Sequence, residues 1–137
     1  MDAINSVRGL LKIEGTNTTP TIVLDAKQGI IEIRGRWTIN MFSTPKNATE
    51  FLDPLLGWLD KYGSLLPNET KVIVHLECLE PSGNQSLLVI FKRLEYIFKN
   101  MAKVQIYWFY TDGDLNMLES GEDFAEIIRL PFNMISY

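Results

Sequence analysis

The sequence is poor in the side chains on which most small catalytic domains depend. It holds one cysteine, Cys78, and one histidine, His75, in 137 residues. An internal disulfide is therefore excluded. A zinc site, which normally draws on several Cys or His ligands, has no set to build from, so no metal is expected. A Ser-His-Asp or Cys-His arrangement would have to run through His75, which sits inside an apolar run. Cationic excess is missing too. Against 13 Lys and Arg stand 17 Asp and Glu, a formal net charge of −4, so there is no electrostatic footprint for a phosphate backbone or an anionic lipid surface. Neither nucleic acid nor a membrane is expected as a partner. No apolar run approaches a membrane span, and residues 1–15 lack the cationic start and apolar stretch of a secretory signal. A cytoplasmic protein is expected, and the acceptor-like patterns beginning at Asn17, Asn47, Asn68 and Asn84 then read as loop and cap sequences.

What the chain does have is the material of a core. Hydrophobic residues make up 46% and charged residues 22%, a globular balance that excludes a disordered or low-complexity chain. The length suits one domain over 1–137, with 1–17 as an N-terminal extension. Residues 21–25 and 29–35 are two β-branched runs three residues apart, which is hairpin spacing, and in the second Ile31 and Ile33 alternate with Glu32 and Arg34. Residues 37–46 read as loop. From 47 to 66 the apolar period becomes helical, and Asp53-Pro54 within it predicts an N-cap followed by a first helical proline, hence a helix from about Pro54. Residues 70–79 read as a buried strand, 82–101 as a helix, 103–110 as an aromatic strand, 114–128 as a helix, and a last apolar stretch follows Pro131. This order predicts an α/β domain with an N-terminal β-hairpin and parallel central strands joined by helices packed on the sheet.

The helix over 82–101 carries the most information. At 100° per residue Ile90, Phe91, Leu94, Ile97, Phe98 and Met101 fall on one arc, and Lys92, Arg93, Glu95, Tyr96, Lys99 and Asn100 on the other. Leu88 and Val89 leave the apolar arc, either because a neighbouring loop covers them or because they form a docking surface. Upstream lies Ser82-Gly83-Asn84-Gln85-Ser86. Ser82 with Gln85 three positions on fits a capping box, in which the hydroxyl satisfies orphan amides. The same hydroxyl, exposed beside the positive end of the helix dipole, is also placed to accept a phosphate, which an apolar partner face pressed against it would not tolerate.

The order of elements and Glu80-Pro81-Ser82-Gly83 at the strand-to-helix turn resemble the anti-sigma factor antagonist, STAS-type, domains. More specifically, from about residue 18 to 135 the chain resembles the SiaC family of regulatory phosphoproteins. The shared pieces are Thr19-Pro20-Thr21-Ile22, Gly35-Arg36, Pro45 with Asn47-Ala48, Phe51, Pro54-Leu55-Leu56, Trp58-Leu59, Leu76-Glu77, Met117-Leu118-Glu119 and Gly121-Glu122-Asp123-Phe124. The resemblance implies a STAS-like single domain without catalytic activity or cofactor, acted on by a protein kinase and a phosphatase. It also implies that the unphosphorylated form binds and stimulates a diguanylate cyclase in cyclic di-GMP signalling. Ser82 is then the expected phosphoacceptor, with Ser86 the alternative. Ser82, Gly83, Asn84, Leu88 and Val89 form the expected partner surface. The family's loop has an Asn and a Ser/Thr cluster where this chain has Glu80 to Asn84, and residues 37–42 read as an insertion.

Three other clusters compete. Asp112-x-Asp114-x-Asn116, with Asp123 at the twelfth position, begins like a calcium loop, but Met117 stands where the turn requires glycine. Glu119, Glu122, Asp123 and Glu126 read as a solvated helix face or as an acidic face for a basic partner, the alternative docking site. His75 reads as a packed or edge histidine and Cys78 as a small buried hydrophobe. The expected function is a non-enzymatic, phosphorylation-controlled interaction domain. A small nucleotide-binding or hydrolytic enzyme is the rival reading, against which stand the lack of a second histidine, a nucleophile–base pair and a phosphate-cradling loop.

Overall fold

The structure, a computed structural model, describes residues 9–38, 45–67, 69–98 and 104–137, and their side chains except those of 45–51, 81 and 82. Six strands form one sheet in chain order: β1 (Leu10–Ile13), β2 (Thr21–Asp25), β3 (Ile30–Trp37), β4 (Lys71–Leu79), β5 (Gln105–Tyr110) and β6 (Phe132–Ser136). The first two junctions are antiparallel, and β3 to β6 run parallel. A helix bridges each parallel step: α1 (Pro45–Tyr62), α2 (Pro81–Ile97) and α3 (Leu115–Ile127). The expected α/β architecture is observed, with the hairpin on the antiparallel side.

Strands adjacent in sequence are also adjacent in the sheet, so crossovers of one hand place all three helices on the same face. The burial pattern agrees. Ile22, Leu24, Ile31, Ile33, Val72, Val74, Ile106 and Trp108 are buried in alternation with half-buried or exposed neighbours. On the helix side Leu55, Leu59, Leu87, Ile90, Phe91, Leu94 and Phe124 complete one core. The core expected from the periodicity of β4, α2 and β5, namely Val72, Val74, Leu76, Val104, Ile106, Phe91, Leu94 and Phe98, is buried throughout. Met101 lies outside the described residues.

α3 approaches the sheet most closely over Trp108, whose indole Nε1 donates to the Met117 carbonyl at 2.9 Å. A Cβ at Gly121 would stand 2.6 Å from the ring's Cδ1, and Trp108 is fully buried and has nowhere to move. Glycine at this position lets the helix backbone rest on the indole.

Three expectations are corrected. α1 does not begin at Pro54. It begins at Pro45 and carries Pro54 inside it, because Leu55, Trp58 and Leu59 continue a buried stripe whose packing outweighs one backbone bond. Residues 10–13, expected within an N-terminal extension, form edge strand β1 on β2. Trp37, expected in a loop, ends β3 and is buried, while 39–44 lie outside the described residues.

Candidate functional site

The site is built at the junction of β4 and α2. The Glu80 amide donates to the Trp37 carbonyl at 2.9 Å, and the Glu80 carbonyl accepts the first helical bond, from the Asn84 amide. Glu80 is thus the N-cap, with extended backbone and no side-chain cap bond, and Pro81 takes the first helical position. Proline suits that place because its missing N–H would have had no helical partner. The capping box expected of Ser82 is therefore corrected, since Ser82 is the second residue of the helix. Its backbone lies in the first turn, where the dipole favours an anion; its side chain lies outside the described ones.

Gly83 is buried where the helix start meets the end of β3. A Cβ there would lie 2.7 Å from Leu79 Cδ1, 2.9 Å from Trp37 Cγ and 3.0 Å from the Trp37 carbonyl oxygen. Its close packing seats α2 against the end of β3. Ser86 is only 7% exposed, so this alternative phosphoacceptor is turned into the protein. Leu88 is half-buried and packed on the core, whereas Val89 is 42% exposed.

Asn84, Gln85 and Leu88 of α2 face Ser120, Asp123, Phe124 and Ile127 of α3 across a groove of about 270 Å3. Two surfaces that the sequence presents as alternatives meet here. Asp123, from the acidic helix, shares the groove with Asn84 and Leu88, while Glu119, Glu122 and Glu126 are exposed beyond it. The floor is apolar, from Leu88, Phe124 and a half-exposed Ile127. Asn84 Oδ1 is buried and accepts no hydrogen bond from the described residues. The groove is thus suited to an apolar side chain.

The remaining candidates are structural. Asp114 caps α3, its Oδ1 accepting from the Met117 amide at 3.1 Å. Cys78 is half-buried near the end of β4 rather than enclosed. A larger cavity of about 590 Å3, lined by Leu59, Leu66, Ile97 and Phe98 among others, carries Asp60 and Arg93, which pair with each other.

His75 lies on the sheet face away from the helices. It stacks on Phe109 at 5.1 Å, meets the edge of Tyr137 at 4.7 Å and sits with Nδ1 3.2 Å from Arg34 Nη1. Arginine can only donate, so Nδ1 accepts and the imidazole is neutral. Burial and then the Arg34 charge lower its pKa, against the opposing pull of Glu77 and Glu32. Because the folded state holds this proton less tightly than the unfolded chain, the contribution to stability is full above about pH 6.5 and declines as pH falls toward the lower folded value. Denaturant unfolding at pH 7.5 and 5.5 is expected to show a larger loss for the wild type than for His75→Gln. Equal losses would remove His75 as the cause.

A model of the SiaC family of regulatory phosphoproteins matches residues 13–137. Three solved structures of Pseudomonas aeruginosa proteins share the fold. A chain of diguanylate cyclase SiaD in complex with its activator SiaC superposes with TM-score 0.77 at 23% identity, covering 93% of this chain and 99% of that one. SiaC itself gives 0.74 at 21%, covering 93% and 98%. Apo-SiaC gives 0.73 at 24%, covering 92% and 98%. No curated protein matches significantly. With the family pattern spanning all but the first twelve residues and the six-stranded architecture in common, the chain belongs to the SiaC family of regulatory phosphoproteins.

Proposed function

We propose that this chain is a non-catalytic, cytoplasmic regulator that binds and stimulates a diguanylate cyclase through the groove between α2 and α3. A protein kinase adds a phosphate at Ser82, and a phosphatase removes it. The observation that carries the reading is the convergence of Asn84, Gln85 and Leu88 with Asp123 and Ile127 in one apolar-floored groove. Ser82 stands two residues before Asn84 in the same helix. A phosphate there adds about −1.5 to −2 charges. The first turn of α2 accommodates the anion, but a partner seated against it would have to dehydrate it, so the phosphorylated form binds weakly. Among the described residues no helix is long and apolar enough to cross a membrane, which accords with a regulator that meets its enzyme in solution.

The test combines the purified chain with the diguanylate cyclase from the same cell. Calorimetry should detect a complex, and cyclic di-GMP synthesis should rise. Mass spectrometry after incubation with the kinase should place phosphate on Ser82 rather than on Ser86 or Thr111, and that form, like Ser82→Asp, should bind less tightly. Ser82→Asp removes no helix cap, since Glu80 holds that position. An absence of binding, or phosphate placed only elsewhere, would sink the corresponding half of the reading.

A further inference from the structure

The two edges of the sheet differ. β1 is four residues long and carries the exposed Lys12, the kind of short, charged edge that resists pairing with another chain. β6 has no such protection. Residues 130–137 contain no Asp, Glu, Lys or Arg, and no strand among the described residues pairs with its outer side.

The direction of every backbone group on β6 follows from its bonds to β5. The Tyr137 amide donates to the Tyr110 carbonyl, the Tyr137 carbonyl accepts from the Asp112 amide, and the Pro131 carbonyl accepts from the Ile106 amide. With the register Tyr107↔Asn133 and Phe109↔Ile135, residues 131, 133, 135 and 137 face β5. Phe132, Met134 and Ser136 therefore direct both N–H and C=O outward.

We propose that β6 pairs antiparallel with β6 of a second copy of this chain, about a two-fold axis at Met134. This register sets Met134 against Met134 and Phe132 against Ser136, so every outward N–H meets an outward C=O. A register shifted by one residue would oppose outward groups to inward ones. Charge favours this edge as well. Each copy has a net charge of −4, and the paired strands themselves bring no charged side chains together.

α3 extends the contact above the sheet. Ser120, Asp123 and Ile127 face α2 across the groove, and at 100° per residue Leu118 and Ala125 project on the opposite flank, toward the β6 edge, with Glu122 and then Leu115 nearer the solvent rim. A contact strip about 20 Å long and two layers deep buries on the order of 1,000 Å2 over both copies, the size at which a specific interface becomes stable. The strip and the groove lie on opposite flanks of α3, so a dimer can bind two partner molecules at once.

The test is sedimentation of the full chain across a concentration series, with Ser136→Pro as the variant. Ser136 is exposed and its amide takes no part in the β5–β6 ladder, so proline spares the fold but removes a donor from both symmetric positions. The wild type should form a dimer, and the variant should dissociate at a concentration about tenfold higher or more. Cyclase binding should be unchanged in the variant, which separates this interface from the groove. A wild type that stays monomeric up to about 100 μM, corresponding to a dimer too weak to matter, overturns the proposal. A dimer unaffected by the variant overturns it equally. Should the variant not fold, hydrogen exchange on the wild type decides: the amides of Phe132, Met134 and Ser136 should slow as concentration rises. Exchange that never slows, or slows only when the cyclase is added, assigns no self-pairing to this edge.

Discussion

Leu94→Ala is expected to lower the stability of the folded chain by about 2–5 kcal/mol, the range for emptying a core site that cannot fully collapse. Leu94 is completely inaccessible, one turn from Phe91 and from Phe98, which are also buried. Phe91 meets Phe124 and Phe132 edge-on at 5.1 and 5.4 Å. The neighbours on this side are aromatic rings held by one another, and rings so placed relax little into a void. Chemical denaturation measures the effect. The exposed Leu115 is the internal control, because truncation there in the monomer should change stability by no more than about 0.5 kcal/mol. A loss below about 1 kcal/mol at Leu94 would mean that the buried face of α2 has been misassigned.

Leu88→Glu is expected to abolish the proposed complex with the cyclase. A carboxylate in the middle of a closed apolar contact is dehydrated without a counter-ion, at a cost of several kcal/mol, enough to weaken binding by about a thousandfold or more. Asp123 on the facing wall adds like-charge repulsion. Leu88 also packs on the core, so this substitution lowers stability, and binding has to be measured where circular dichroism shows the variant folded. Val89→Glu separates the two effects. Val89 is exposed outside the groove lining, so the variant should keep its stability and weaken binding only to the extent that the partner overlaps that side of α2. A folded Leu88→Glu variant that binds normally would move the docking site away from the groove.

Where local chemistry decides structure, the elements are legible in the residues. The hairpin at 26–29 follows from Asp25, whose carboxylate accepts from the Gln28 amide, and from Gly29, whose φ of +69° closes the turn. α3 starts where Asp114 can cap it. β4 and β5 stand out because residues with only one buried face alternate. β1 was not legible, since Leu10–Ile13 becomes a strand only by pairing with β2. The start of α2 was misread by two residues for a similar reason. Ser82 offers the better cap by chemistry, but the Glu80 amide is tied to the Trp37 carbonyl, and Pro81 and Gly83 fit the space beside Trp37.

The sequence by itself determined the fold class, the buried faces of β4, α2 and β5 and the family, because each of these follows from residue type and short-range spacing. Only the tertiary structure decided that Leu88 faces Asp123. More than thirty residues separate them, and they meet because α2 and α3 cross between neighbouring parallel strands on the same face of the sheet. It also decided that Ser86 is turned inward and that β6 leaves its outer edge bare among the described residues. These are relations between surfaces, and a surface exists only after the chain has chosen its neighbours.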